Sequence, residues 1–418
     1  MARSFRRALT LVCTTLFVGT AAPVAADELT LASAIERTLA RNPELRIYAP
    51  RLTAARERAA LAALRPPFEL EAEVQDALGT GRASGFDTAE STFALSQVIE
   101  LGGKRGLRVD AATATTAVVG ALRAAAELDV LAEVTRRLIH VAADQEHLAL
   151  TMRATALAEE NVTAATARVA AARAPDVELR RARVTSARAA VEQEHAEHEL
   201  LTSRRKLAAM WGDSEVTFER VSADLYALPP SEGYDALLAR LAGNPDFARF
   251  ASEGRLRDAE LRVAEAHARA NLTVRAGLRV LHETNDEAFV VGVTLPLFAA
   301  SRARSEIAAA QAEREQTAAE REAHRVRAEA QLFELFQELR HAITEAEILR
   351  TTVLPEMEAA LEATRYAFER GRYSYLEWVD AQRELVDVQR ALIDASTNAH
   401  LYRTEIERLT GEPLSAAN

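Results

Sequence analysis

By type and spacing, the side chains of this sequence best suited to chemistry are two histidines. His195 and His198 lie in Glu194-His195-Ala196-Glu197-His198-Glu199. Residues three apart on a helix share a face, so the pair has the spacing to grip a metal ion. The spacing fixes no third ligand, however, and a solvated glutamate-rich face accounts for the same residues. No metal site is therefore expected. His140 and His147, one heptad apart, read as surface decoration. Catalytic patterns are no better represented. Gly79-Thr80-Gly81 misses the dinucleotide fingerprint and follows no βαβ unit. There is no P-loop, zinc-protease motif or nucleophile elbow, so neither an enzyme nor a cofactor is expected.

Composition turns attention from a site to a scaffold. The 418 residues are 49% apolar but only 5% aromatic, and 27% are charged. Alanine, leucine, arginine and glutamate dominate, as in long packed helices. Lys104 and Lys206 are the only lysines. A net charge of −11 argues against a nucleic-acid partner. Residues 1–26 read as a secretory signal peptide. Arg3, Arg6 and Arg7 precede an apolar run from Ala8 to Gly19, with Val24 and Ala26 placed for cleavage before Asp27. Cys13, the only cysteine, lies inside that run, and Thr10 stands where a lipidation signal would have leucine. The mature chain would then have no thiol chemistry. Nothing after Asp27 is long and apolar enough for a transmembrane helix, so entry into a membrane would be by strands.

The sequence also repeats itself. Asn42-Pro43-Glu44 returns as Asn244-Pro245-Asp246, Gln97 to Lys104 aligns with Leu295 to Arg302, and Met210-Trp211-Gly212 aligns with Leu409-Thr410-Gly411. The shifts are 202, 198 and 199 residues. Residues 27–228 and 229–418 are thus expected as two structural repeats joined near Leu228-Pro229-Pro230. Each holds a short helix, a β-hairpin (68–99 and 271–298) and long helices (105–210 and 302–410).

Phe68 to Leu78 alternates Phe68, Leu70, Ala72 and Val74 with Glu69, Glu71, Glu73 and Gln75. Leu272 to Val280 and Phe289 to Leu297 alternate likewise, with Arg275 and Arg279 on the polar face. Strands of roughly 9–11 residues with one apolar face suit a transmembrane barrel, and the charged face suits a water-filled lumen. Helix is expected from Arg105 to about Arg173, and from Arg302 to Leu354, with a stop at Pro355 and a resumption to Glu369. A last helix carries a 3,4-spaced seam of Leu385, Val388, Leu392, Ala395, Ala399, Tyr402, Ile406 and Leu409. Four strands leave two open edges that lipid cannot satisfy, so several chains must close one barrel if the hairpins enter a membrane.

The residues so assembled resemble the TolC-type outer-membrane efflux channel family across essentially the whole mature chain. The carriers are Leu29-Thr30-Leu31 with Asn42-Pro43-Glu44, the run from Ser96 to Arg108, the run from Tyr366 to Leu385, and Glu407 to Gly411. Glu100 to Arg105 is most similar to the heavy-metal efflux branch. The resemblance implies a mainly α fold: long coiled-coil helices form a periplasmic α-barrel, and each chain adds four transmembrane strands. It implies a homotrimer in outer-membrane lipid that meets a periplasmic adaptor and an inner-membrane pump, as the passive duct of a tripartite efflux or type I secretion-like system for metal cations or small toxic compounds. It further implies an aperture lined by Glu377 and Asp380, with Glu178 aligned to Glu377, and adaptor contact at Gly371, Arg372, Tyr373 and Ser374. A role as first-turn acids favoured by the helix dipole is compatible with the aperture role, which is the reading preferred for Glu377 and Asp380. The first tip departs from the family, with Ala172 where a turn glycine is usual and Pro175 inside the turn. The alternatives are a soluble periplasmic coiled-coil adaptor or scaffold, and a periplasmic metal-binding protein built on His195 and His198.

Overall fold

Residues 28–230 and 232–411 are described by the computed structural model, so the expected signal segment 1–26 lies outside the described residues. Each repeat is locked by its Asn-Pro motif. Asn42 caps helix α2 (Pro43–Arg46) by accepting from Leu45 N at 3.0 Å, and its Nδ2 donates to Met210 O at 2.8 Å. Asn244 caps α7 (Pro245–His267) by accepting from Asp246 N at 2.6 Å, and its Nδ2 donates to Leu409 O at 2.5 Å. One buried amide thus starts a helix and satisfies a carbonyl at the end of the repeat's last helix. Gly212 and Gly411 follow those carbonyls with φ of 82° and 74°. At Gly411 a Cβ would lie 2.9 Å from Asn244 Cα, so the close approach and the left-handed backbone both demand glycine there.

Around these locks run the remaining short elements. α1 (Leu31–Arg41) and α3 (Tyr48–Ala62) precede the first hairpin, and α6 (Tyr234–Leu241) opens the second repeat. β1 (Glu28–Thr30) pairs in parallel with β4 (Arg220–Ser222). Gln145 clamps β4 from the long helix α4 (Lys104–Ala170): its amide donates to Val221 O at 3.2 Å and accepts from Val221 N at 2.9 Å.

α4 is 67 residues long, about 100 Å at 1.5 Å per residue. It returns as α5 (Asp176–Ala208). Its counterpart is α8 (Ala299–Ile348), followed by α9 (Leu354–Glu369) and then α10 (Tyr375–Thr410). Helix resumes to Glu369 as expected, but Pro355 itself does not make the stop. A π-helical turn at Leu349–Val353 absorbs it instead, and Pro355 enters the first turn of α9, where its missing N–H costs nothing. On α10, Leu392, Ala395, Ala399, Ile406 and Leu409 are buried along the expected seam.

The hairpins form one antiparallel sheet in the order β2 (Phe68–Gln75), β3 (Glu90–Ile99), β5 (Leu272–Leu281), β6 (Asp286–Thr294). β2 ends before the expected Leu78 because Asp76 and Leu78 adopt left-handed backbone, φ 53° and 58°. β6 ends at Thr294, before Pro296, so Leu295 and Leu297 lie outside it. The register puts Leu70 beside Leu95, Ala72 beside Phe93, and Phe93 beside Leu278, which in turn faces Phe289. This face is open: Leu70 is 77% exposed and Phe289 72%. On the opposite face Arg275 reaches across β3 to Glu71 at 3.1 Å, and Arg279 binds Glu90 at 2.6 Å and Thr92 at 3.0 Å.

Gly277 sits on the charged face, where an added Cβ would fall 2.3 Å from Phe93 O and 2.6 Å from Ala94 Cα. No side chain fits without moving the β3 backbone. Gly277→Val is expected to abolish assembly of the sheet, read as loss of the protein from the outer-membrane fraction, whereas Gly292→Ala, with only side-chain neighbours at 3.5 Å or more, is tolerated.

Candidate channel aperture

The ends of the long helices farthest from the sheet make two turns of the same design. In the first, Ala172 N donates to Val169 O at 3.0 Å and Arg173 N to Arg168 O at 2.9 Å. In the second, Gly371 N donates to Phe368 O at 2.9 Å and Arg372 N to Ala367 O at 2.9 Å. Both place a left-handed residue after the helix: Ala172 at φ 54° and Gly371 at φ 72°. The first turn therefore carries a Cβ where the geometry prefers none.

The acids behind these turns have different fates. Ser374 caps α10, and the Glu377 carboxylate folds back to accept from Ser374 N at 2.7 Å and from its hydroxyl at 2.9 Å. These bonds hold Glu377 below the ordinary carboxylate range, backbone donor first. Their contribution to the tip is present above the ordinary range and is lost as pH falls through the depressed value. Asp380, one turn on, is exposed and lines a groove of about 810 Å³ between α4, α5 and α10. Arg180, Arg181, Arg188, Arg383 and Arg390 share that groove.

Glu178 does not join them. Pro175 at the N-cap of α5 offers no capping side chain, and Glu178 instead accepts from Arg168 Nε at 3.0 Å, with its side chain 12% exposed. The Arg168 guanidinium also lies 4.7 Å above the Phe368 ring, so one side chain ties the first tip to the second. Phe368 stacks on Trp378 at 4.8 Å, and Tyr375 packs edge-on to Trp378. Tyr375 Oη is buried without a hydrogen-bond partner, and burial, then the Glu178 charge, pushes the phenol up. Sequence reasoning missed this cluster. Its visible signal is five aromatics between Tyr366 and Trp378 in a chain that is 5% aromatic. Gly371, Arg372, Tyr373 and Ser374 are all exposed at the tip.

The histidines converge more than their spacing implied. His195, His198, His140, Asp144 and Glu199 line one groove of about 400 Å³ between α4 and α5. Burial raises Asp144, while His195 engages Glu199 at 3.3 Å and His147 turns to Asp394 at 3.1 Å. Among the described residues, no three histidine or acidic side chains are placed to hold a metal ion.

With this geometry in hand, comparison decides the family. The model of the outer membrane efflux protein family matches residues 34–213 and 238–412. The chain belongs to the outer membrane efflux protein family. It is 30% identical to the cobalt-zinc-cadmium resistance protein CzcC of Cupriavidus metallidurans, over 83% of this chain and 81% of CzcC. Its fold matches a membrane protein from Pseudomonas aeruginosa (TM-score 0.78, 20% identity, 95% of this chain and 97% of that one). It also matches the outer membrane protein VceC of Vibrio cholerae (TM-score 0.75, 19% identity, 91% and 96%). The protein is thus an outer-membrane efflux channel that extends into the periplasm, with the sheet as its membrane part and the long helices as its periplasmic part. The soluble-scaffold alternative falls with that membership.

The unequal turns make a paired test. Ala172→Gly removes the left-handed penalty and is expected to stabilise by roughly 1 kcal/mol. Gly371→Ala is expected to destabilise by about the same amount. Thermal denaturation of the purified channel followed by circular dichroism checks both signs.

Proposed function

We propose that three copies of this chain close a single 12-stranded barrel over a helical tunnel and serve as the passive outer-membrane duct of a tripartite pump for divalent heavy-metal cations. The observation that carries the assembly is the sheet itself. Its apolar face is open, its other face is charged, and both β2 and β6 lack a neighbour. The cargo class rests on the likeness to a cobalt-zinc-cadmium resistance protein. A periplasmic adaptor and an inner-membrane pump complete the path. Gly371, Arg372, Tyr373 and Ser374, exposed at the turn, are the adaptor's contact. Removal of the gene from its host is expected to raise sensitivity to cobalt, zinc and cadmium, with normal growth when metal is absent. Unchanged tolerance to all three metals would contradict the cargo.

Glu377 and Asp380 from three chains form the aperture ring, six carboxylates that attract cations and repel anions. Glu178 stands behind it, neutralised by Arg168. Because glutamine at 377 keeps an acceptor for Ser374, Glu377→Gln with Asp380→Asn changes charge more than shape. In planar bilayers the double variant is expected to weaken divalent-cation block and make conductance more variable. An unchanged current–voltage curve would remove these residues from the aperture.

A further inference from the structure

The groove between α4, α5 and α10 has the dimensions of a small-molecule site. Its volume of about 810 Å³ falls within the range of pockets that hold drug-sized organic ligands. Along α10 it runs from Tyr375 to Arg390, about 22 Å at 1.5 Å per residue. The volume divided by that length leaves a mean cross-section of roughly 36 Å². An α-helix about 10 Å across needs roughly 80 Å², so the groove does not admit one. A planar ring system or an alkyl body fits. All its walls come from one chain.

Floor and rim differ in chemistry. Leu157, Val184, Val379 and Val386 give the groove an apolar lining. Asn161 and Tyr375 also line it, and they are only 3% and 8% exposed. Asn161 Nδ2 donates to Gln382 Oε1 at 2.6 Å and so joins α4 to α10, but Asn161 Oδ1 has no donor. Tyr375 Oη is likewise buried without a partner. Unpaired buried polar atoms are costly, and two beside one groove are hydrogen-bonding capacity that the chain itself leaves unused.

The rim is basic in a chain whose net charge is −11. Five arginines stand there against three acids, Glu192, Asp380 and Asp387. Arg180 pairs with Asp176 at 2.6 Å, and Arg383 lies 3.9 Å from Asp387. Among the described residues Arg181, Arg188 and Arg390 have no ionic partner. Arg181 and Arg188 belong to α5 and Arg390 to α10, so unpaired guanidinium groups stand on both walls.

We propose that this groove binds an amphipathic organic anion. Its apolar body lies along Val184, Val379 and Val386, and its acidic group is held by Arg181, Arg188 and Arg390. An N–H or O–H of the ligand donates to Asn161 Oδ1. The planar guanidinium fork matches two oxygens of a carboxylate or sulfonate, which is why an acidic head suits this rim. The bound anion joins α5 to α10 across α4 and braces the second tip; it is a fixed occupant, not cargo. The site is independent of the metal-duct reading, because one chain supplies every contact.

Anilinonaphthalene sulfonate carries the required parts: an apolar ring system, one sulfonate and one N–H. Trp211 and Trp378 are the only tryptophans, and Trp378 packs edge-on to Tyr375. In a Trp211→Phe background Trp378 is therefore a single energy donor at the groove. Asn161 lies 57 residues along α4 from Lys104, about 85 Å, so dye dissolved in the detergent belt around the sheet is out of its range. Titration of the purified channel is expected to quench Trp378 saturably, with one dye bound per chain. Arg181→Gln with Arg390→Gln is expected to weaken binding about tenfold or more, and Arg183→Gln, off the groove, to leave it unchanged. Phenylnaphthylamine, which lacks the sulfonate, is expected to bind about tenfold more weakly. Hydrogen exchange on the unsubstituted channel gives a second reading: the dye is expected to slow exchange in α10 between Tyr375 and Arg390 and to leave the sheet unaffected. Equal binding of the neutral amine, equal effects of the Arg183 and the Arg181–Arg390 variants, or neither quenching nor protection would overturn the site. Saturable quenching by an acidic amphipathic helical peptide but not by the dye would make the groove a helix seat and overturn the assignment as well.

Discussion

A backbone N–H or C=O stranded in hydrocarbon costs several kcal/mol, and every level of this protein answers to that constraint. Four strands satisfy their interior amides, but β2 and β6 each present a row that only another strand can pair. Lipid on the apolar face supplies no partner for those rows, so the membrane part of one chain is incomplete by itself. The charged face is the corollary. Glu71, Glu90, Arg275 and Arg279 pair among themselves around small residues such as Ala94 and Gly277, which keeps that face compatible with water. Among the described residues no helix is long and apolar enough to cross a membrane.

The long helices extend the same logic away from the membrane. Duplication supplies two nearly equal halves, and each is closed by an asparagine that binds the carbonyls at the end of its own last helix. The halves then diverge where function demands. The first tip trades a helix cap for an ion pair, Arg168 with Glu178, and accepts a strained Ala172. The second keeps glycine, a capping box and an exposed Asp380. Arg168 lies against Phe368, so the strained tip and the capped tip are mechanically one unit.

How much of this was legible depended on the range of the interaction. Alternation in Phe68 to Val74 and in Phe289 to Val293 announced the strands, because one face meets lipid and the other water. The Ser374-x-x-Glu377 capping box is local and was readable at the level of spacing. What escaped were contacts that join residues far apart in sequence: Lys104 with Arg269, Arg168 with Phe368, and the grouping of His140 and Asp144 with His195 and His198. The ends of β2 and the passage of the chain through Pro355 also escaped, since each depends on a backbone choice at one or two residues that composition does not encode. Glu178 shows the limit most clearly: its alignment with Glu377 was visible, but Arg168, ten residues earlier, decides what it does.

The central claim is that the open edges of one sheet are closed by other copies of the same chain in the membrane. Native mass spectrometry of the protein extracted from outer membranes in mild detergent tests it directly. A single species with three times the mass of the mature chain is expected. A predominantly monomeric species, or a protein recovered in the soluble periplasmic fraction without detergent, would contradict it.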